Sequence, residues 1–548
     1  MSKRIIFIIL LVLIPLNLLI AQDFVTEIDG AGNKVLVEYI GYDYDVVIPN
    51  DITVIGFGAF AYNHSLESIV IPDSVIKIGV GAFYECSSLE SLTIPASVTS
   101  IGDSAYSYCS SLKSIALPDS LTSIGNFTFS FCHSLERITL PANLISVGDG
   151  AFAYCESLES IILPDSVTSI GDGMFYECRS LESIILPDSL TSIGDEAFYK
   201  CSSLESITLP VNLISIGDKA FYECSSLASI TLPASVTSIG DYAFYYCDSL
   251  KSIALPDCVT SIGDSAYSYC SSLKSIALPD SLTSIGDRVF YECRSLESIT
   301  LPDGLTSIGD EAFSYCRFLS SITLPANLIS IGEGAFIGCS SLETIIVSQD
   351  NPRYVSMQGV LFDKSLKSIL AFPAENGFKT YSIPEGIVSI ESGAFAYSGF
   401  LESITLPDSV TSIGDWAFYY CDSLESITLP ASLTSIGDYA FYYCDSLESI
   451  TLPASVTSIG NSAFSGCSSL ESITFPDSVT SIGDEAFIWC ISLESIILPD
   501  SVTSIGDYTF YGCSSLKEIK VGSDNSYAFK YFLGTEYEKY LLYGPSWL

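Results

Sequence analysis

The sequence predicts a repeat solenoid, built mostly from short parallel β-strands joined by short helical or 3-10 turns. Three observations predict it. Prolines recur every 23 residues, from 49 to 325 and again from 384 to 499. The stretches between them are near copies: Pro233–Leu255 reads PASVTSIGDYAFYYCDSLKSIAL, and Pro430 opens PASLTSIGDYAFYYCDSLESITL. Finally, a 23-residue coil is too small to bury an apolar face by itself, so coils must stack. A chain of 548 residues would ordinarily suggest several domains, but a solenoid lengthens without dividing.

Taken in order, residues 1–21 read as a secretory signal. Lys3 and Arg4 precede an apolar run from Ile5 to Ile20 that is interrupted by Pro15 and Asn17. The run is short for a membrane span, which needs about 20 residues. Leu19 is an imperfect cleavage-site residue, so an uncleaved anchor is the alternative. No further apolar span follows, and the final GPSWL carries no hydrophobic anchor. Residues 22–48 read as an N-terminal β cap turning at Gly30–Asn33. Repeats fill 49–346 and 384–520, thirteen before the interruption and six after it. Residues 347–383 hold a 36-residue insertion in which GVLFD and SILAF look like the strands of a hairpin. Residues 521–548 are off the beat and aromatic, and read as a helical C-terminal cap. Stacked at about 4.8 Å, the coils would span roughly 90 Å.

Within a coil, Leu250-x-x-Ile253-x-Leu255 places Ile253 and Leu255 on one strand face, and Pro256 ends the strand. The Gly240 column predicts a turn with positive φ. Asp241 is expected to cap one helical turn, and Phe244 and its equivalents to stack as an aromatic column. Val98–Gly125 is identical to Val259–Gly286, seven periods away, so whole blocks of coils have been copied.

The recurring pattern LxxIxLPxSVTSIGxxAFxxCxSL resembles the BspA-like leucine-rich repeats, also described as the Treponema type. The resemblance covers about residues 49–520. It implies a curved right-handed superhelix with a parallel sheet on one face. It also implies a secreted or surface protein of the kind that binds matrix proteins, cells or neighbouring bacteria. The chain lacks the surface-anchor signals that some members carry.

Composition narrows the function. With 64 acidic and 22 basic residues and a formal charge of −42, nucleic acid is an unsuitable partner. There are 18 cysteines, 17 of them on the beat, with Cys258 off it. Every column cysteine has equivalents above and below, so no pairing is specified, and a ladder of buried free thiols is expected. His64 and His133 share one column about 14 Å apart by strand spacing, too far to act together. Carboxylates recur as stripes, including Asp165, Asp188, Asp280 and Asp500, and Asp172, Asp195, Asp241 and Asp507. Stripes read as solvated surface and capping, with Ca²⁺ binding as the lesser alternative. No catalytic, cofactor or metal site is expected, and no enzyme.

The candidate binding surface is aromatic: Tyr245, Tyr246, Tyr269, Tyr315, Tyr419, Tyr420, Tyr442, Tyr443 and Trp489. Tyr and Trp bury area at small entropic cost and keep a polar tip. Packing between coils is the other reading of the same rings. The Ser/Thr-lined strand face beside the Glu425 column is a second candidate surface. Two functions stay open. One is a monomeric exported protein, secreted or at the cell surface, that binds an extracellular or cell-surface protein such as a matrix protein or glycoprotein, adhering by many weak contacts. The other is an envelope scaffold without a host ligand.

Overall fold

The computed structural model describes residues 23–521 and the strand Leu541–Tyr543. The signal sequence read at 1–21 and most of the cap read at 521–548, including the helix expected there, lie outside the described residues. The chain forms two compact units, one ending at Pro187 and the other beginning at Asp188.

In the first unit, Phe24–Ile28 and Lys34–Tyr39 form an antiparallel hairpin. Its turn is closed by Asp29, whose carboxylate accepts the N–H groups of Ala31 and Asn33 and the Asn33 amide. Lys34–Tyr39 then pairs in parallel with Val54–Ile55, so the hairpin hands its edge to the coils. Each coil adds two strands. Three-residue strands from Asp45–Val47 to Ser183–Ile185 make one parallel sheet, and two-residue strands from Val54–Ile55 to Ser146–Val147 extend the hairpin sheet. The second unit repeats both ladders. Ile253 faces Ile230 on one side and Ile276 on the other, one period away each time.

The period-two pattern decides the faces. In Ser252–Ala254 only Ile253 is buried, and the serine and alanine are exposed. Phe244 is fully buried and stacks on Phe221 at 5.3 Å and on Tyr267 at 5.4 Å, with nearly parallel rings. Cys247 is fully buried too, and its thiol donates to the Phe221 carbonyl of the preceding coil at 3.2 Å. That carbonyl already accepts the Cys224 N–H. The thiol column therefore supplies a second donor to a buried carbonyl, which explains a small polarisable donor at this place. Cys258 stands in another column, where serines such as Ser235 donate to carbonyls of the preceding coil. Its thiol does the same, to Ala234 and Val236.

Four expectations need correction. No helix occurs among the described residues. The segment 241–247 consists of successive turns in which Tyr242 and Tyr246 hold φ of 56° and 57°. This alternation sets the peptides 241–242, 243–244 and 245–246 parallel. Their carbonyls accept from Lys219, Phe221 and Glu223 of the coil before, and their N–H groups donate to Asp264, Ala266 and Ser268 of the coil after. A helix would spend those groups inside one coil; the turns spend them between coils. Accordingly Asp241 caps no helix, and its Oδ1 accepts the N–H of Asp264 at 2.8 Å, one coil on. Gly240 is not a positive-φ residue either. A Cβ there would lie 2.4–2.6 Å from Asp218 and Gly217 of the preceding coil, so the column is glycine because backbones touch.

The insertion has three strands where two were expected: Tyr354–Met357, Val360–Asp363 and Ser368–Ala371, all antiparallel. The third pairs in parallel with Ser389–Ile390 and so restarts the two-residue ladder.

Candidate functional site

The same turns that tie coils together also fix the tyrosines. After each core Phe come two positions whose backbone is locked by intercoil hydrogen bonds, so side chains one period apart are held face to face. Tyr246 stacks on Tyr269 at 4.2 Å, Tyr419 on Tyr442 at 5.0 Å and Tyr420 on Tyr443 at 5.2 Å. Within a coil the two rings meet edge to face, Tyr245 with Tyr246 at 4.9 Å and Tyr442 with Tyr443 at 4.7 Å. Tyr245, Tyr246, Tyr269, Tyr315, Tyr419, Tyr420, Tyr442 and Tyr443 are all half-buried, whereas Trp489 is half exposed, at 50%. Packing and display are thus combined, each ring giving its faces to neighbours and its edge to solvent.

In the second unit the rings border two hollows. One, of about 710 Å³, is lined by Tyr242, Tyr291, Tyr315, Trp416 and Tyr419. The other, of about 260 Å³, is lined by Tyr242, Tyr245, Tyr269 and Tyr291. Arg288 lies in both, and its guanidinium forms a two-pronged pair with Glu311 at 2.9 and 3.0 Å. Asp264, Asp287 and Asp310 line the larger hollow and leave it acidic. Asp264 and Asp287 each cap the next coil's amide through one carboxylate oxygen. Burial pushes the Tyr245 phenol up to about 12 and raises those of Tyr315 and Tyr419, so these hydroxyls stay neutral hydrogen-bond groups. Tyr315 and Tyr397 touch edge to face at 5.7 Å and share a hydroxyl hydrogen bond.

The structure brings Tyr245, Tyr269, Tyr315 and Tyr419 to these hollows. Tyr246, Tyr420, Tyr442 and Tyr443 stand beside them in the stacks, and Trp489 meets Tyr511 edge to face at 5.6 Å, farther along the column. Sequence reasoning missed Tyr242, Tyr291 and Trp416. Tyr242 and Trp416 follow the Gly-Asp pair, two places before the core Phe, in a varied column that also holds Phe127, Lys219, Arg288, Tyr439 and Tyr508, and the recurring aromatics there were the signal.

The other candidates resolve locally. On the strand face Lys113, Lys274 and Lys517 each pair with the glutamate one period away, as in Lys113–Glu90 at 3.1 Å and Lys517–Glu494 at 2.7 Å, whereas Lys251 has Ala228 and Lys274 in those places. His64 contacts Ser87 at 3.2 Å, and His133 lies 3.8 Å from Glu156 with its buried Nδ1 making no hydrogen bond. Among the described residues no three His, Cys, Asp or Glu side chains converge on a metal-sized site. No described helix is long and apolar enough to cross a membrane.

Comparison with known proteins gives the fold a family. The pattern of the BspA type leucine rich repeat region matches residues 44–159, 145–274, 237–366, 368–456 and 434–538. A leucine-rich repeat protein from Bacteroides ovatus is 31% identical, over 74% of this chain and 98% of that one, with a TM-score of 0.56. A leucine-rich repeat protein from Eubacterium ventriosum is 24% identical over 58% of this chain and 85% of that one, with a TM-score of 0.44. A leucine rich cell surface protein from Faecalibacterium prausnitzii is 23% identical over 91% and 93%, with a TM-score of 0.34. No curated protein matches. With its repeats matched from residue 44 to 538, the chain belongs to the BspA-type leucine-rich repeat family.

Proposed function

We propose that this chain is an exported, non-enzymatic protein that binds an extracellular or cell-surface protein partner through its tyrosine-lined turn face, and that it serves adhesion. The observation that carries this reading is the hollow bordered by Tyr242, Tyr291, Tyr315, Trp416 and Tyr419 with Arg288 at its side. Tyr, Trp and Arg are the residues that dominate binding energy at protein interfaces. Stacking holds these rings before a partner arrives, which lowers the entropic cost of binding. The carboxylates around the hollow favour a partner with Lys or Arg on its contact surface, and such an attraction weakens as salt screens it. The reading 1–21 as a secretory signal supplies the route outward. Repetition along the coils makes contacts multivalent, so avidity rises with the number of coils engaged. Reported for the Faecalibacterium protein, a cell-surface location is consistent with the same placement here.

The test is a binding screen of the secreted chain against matrix proteins, glycoproteins and whole cells. A Tyr315→Ser, Tyr419→Ser variant runs beside it, with its fold checked by circular dichroism. Saturable binding lost in the variant is expected. Binding retained there would move the site to the serine- and threonine-lined strand face. No binding to any surface would leave the envelope-scaffold reading.

A further inference from the structure

The insertion leaves one coil uncovered. In every coil of the second unit from Glu196 to Tyr315, and again from Gly393 to Trp489, three turn N–H groups donate to carbonyls of the coil that follows. In the coil between these runs, the N–H groups of Gly334 and Phe336 have no acceptor among the described residues. The aromatic column stops at the same place. Phe336 stacks on Phe313 at 5.9 Å, meets no ring on its other face among the described residues, and the column resumes with Phe372 and Phe395. Phe336 and Ile331 are consequently half-buried, where their equivalents Phe313 and Ile308 are fully covered.

The gap is a cavity of about 540 Å³, a size typical of small-ligand sites. Phe336 forms one wall, and Leu361 and Ala371 of the insertion form another. Arg353 and Lys364 also line it, and neither is in an ion pair among the described residues. Two of the lining carboxylates are engaged. Asp363 accepts the N–H groups of Lys367 and Ser368, and Glu391 accepts the Ser389 hydroxyl. Glu333 is exposed at the rim. Ser392 also lines the cavity, and its buried hydroxyl oxygen has no partner.

In every neighbouring coil the next coil answers these features with carbonyl oxygens and an aromatic ring. We propose that this cavity binds a planar aromatic group carrying carboxylate or carbonyl oxygens. The ring lies on the open face of Phe336, and the oxygens take the N–H groups of Gly334 and Phe336, with Arg353 and Lys364 drawing the anionic form. Two sources carry that chemistry: a free aromatic carboxylic acid, and an aromatic residue of a peptide. The cavity adjoins the tyrosine-lined hollow, sharing Glu333, Gly334, Ile337 and Ser392 with it, but the proposed ligand contacts do not depend on the adhesion reading.

The experiment titrates the full chain by calorimetry with N-acetyl-L-phenylalanine, its C-terminal amide and N-acetyl-L-alanine. The phenylalanine acid is expected to bind saturably and the alanine acid at least about tenfold more weakly, since ring contact is the main source of affinity. Phe336→Leu keeps the apolar volume and is expected to lose binding. An Arg353→Gln, Lys364→Gln variant changes only exposed side chains and is expected to weaken the acid more than the amide. Equal affinity for the amide and the acid assigns the site to a peptide residue, and preference for the acid assigns it to a free acid or chain terminus. Equal binding of the alanine compound, undiminished binding to Phe336→Leu, or no binding by the folded chain would each overturn the proposal.

Discussion

Val98–Gly125 and Val259–Gly286 have the same sequence, but they do not make the same surface. Their interiors agree. Tyr106 and Tyr267, Cys109 and Cys270, and Leu112 and Leu273 are all fully buried. Ser104 and Ser265 hold φ of 53° and 56°. Outside, they part. Tyr108 stacks on Phe131 at 4.2 Å, while Tyr269 stacks on Tyr246 at the same distance and meets Tyr245 and Tyr291 edge to face. Ser107 bonds the Ser130 hydroxyl, and Ser268 donates to the Arg288 carbonyl. The second copy borders a hollow with an arginine in it. A coil therefore determines its own core, and its face is determined by residues one period away.

The largest expected effect strikes both copies alike. Burial pushes the Cys86 thiol up to about 12, and raises those of Cys109 and Cys270 well above their ordinary value of 9.0. Above pH 9 the unfolded chain gives up these protons while the folded chain keeps them. Stability therefore falls as pH rises, by about 1.4 kcal/mol per pH unit for each thiol in the window. Circular dichroism from pH 8 to 12 should show a steep alkaline unfolding, with Cys109→Ser and Cys270→Ser each flattening it by the same amount. Next, Leu112→Ala and Leu273→Ala should each cost about 2–5 kcal/mol in urea unfolding, the range for emptying a packed core site. Unequal losses would break the claim that the cores are equivalent.

A smaller gain is expected from Tyr106→Phe and Tyr267→Phe. Both hydroxyls are buried without a partner, and removing such a group should raise stability by about 1–3 kcal/mol in either copy. The smallest effect separates the copies. Tyr269→Ser should weaken partner binding by about 1–2 kcal/mol, and Tyr108→Ser should leave affinity unchanged, as measured by surface plasmon resonance. Equal losses would place the binding surface elsewhere.

Much of this architecture was legible before any coordinates, because stacking forces each coil to face its own near copy. Ile253, Phe244 and Cys247 announce their roles by recurring, and a repeated apolar or small residue at fixed spacing has few other meanings. The turn conformation was hidden for a specific reason. Left-handed residues usually announce themselves as Gly or Asn, but here they are Tyr242, Tyr246 and Glu292, held by hydrogen bonds to the next coil. The Gly240 column misled in the opposite way, since a glycine required by backbone contact reads like one required by a turn. Tyrosine edges and faces could be enumerated, but the hollow depends on which rings fall one period apart, with Arg288 between them. The uncovered coil was illegible, because nothing in Gly334 or Phe336 says that the residues one period on have been displaced by an insertion.

The uniform direction of the turn peptides has a consequence for how such a chain changes over generations. Every coil presents donors on one side and acceptors on the other. Any coil can therefore follow any other, as tiles with matched edges can be laid in any order. Recombination that adds or removes a whole number of periods keeps each edge matched, whereas a gain of even one residue misaligns it. Array length can therefore drift freely by whole coils while the interior stays under strict selection, and new faces arise simply by bringing old coils beside new neighbours.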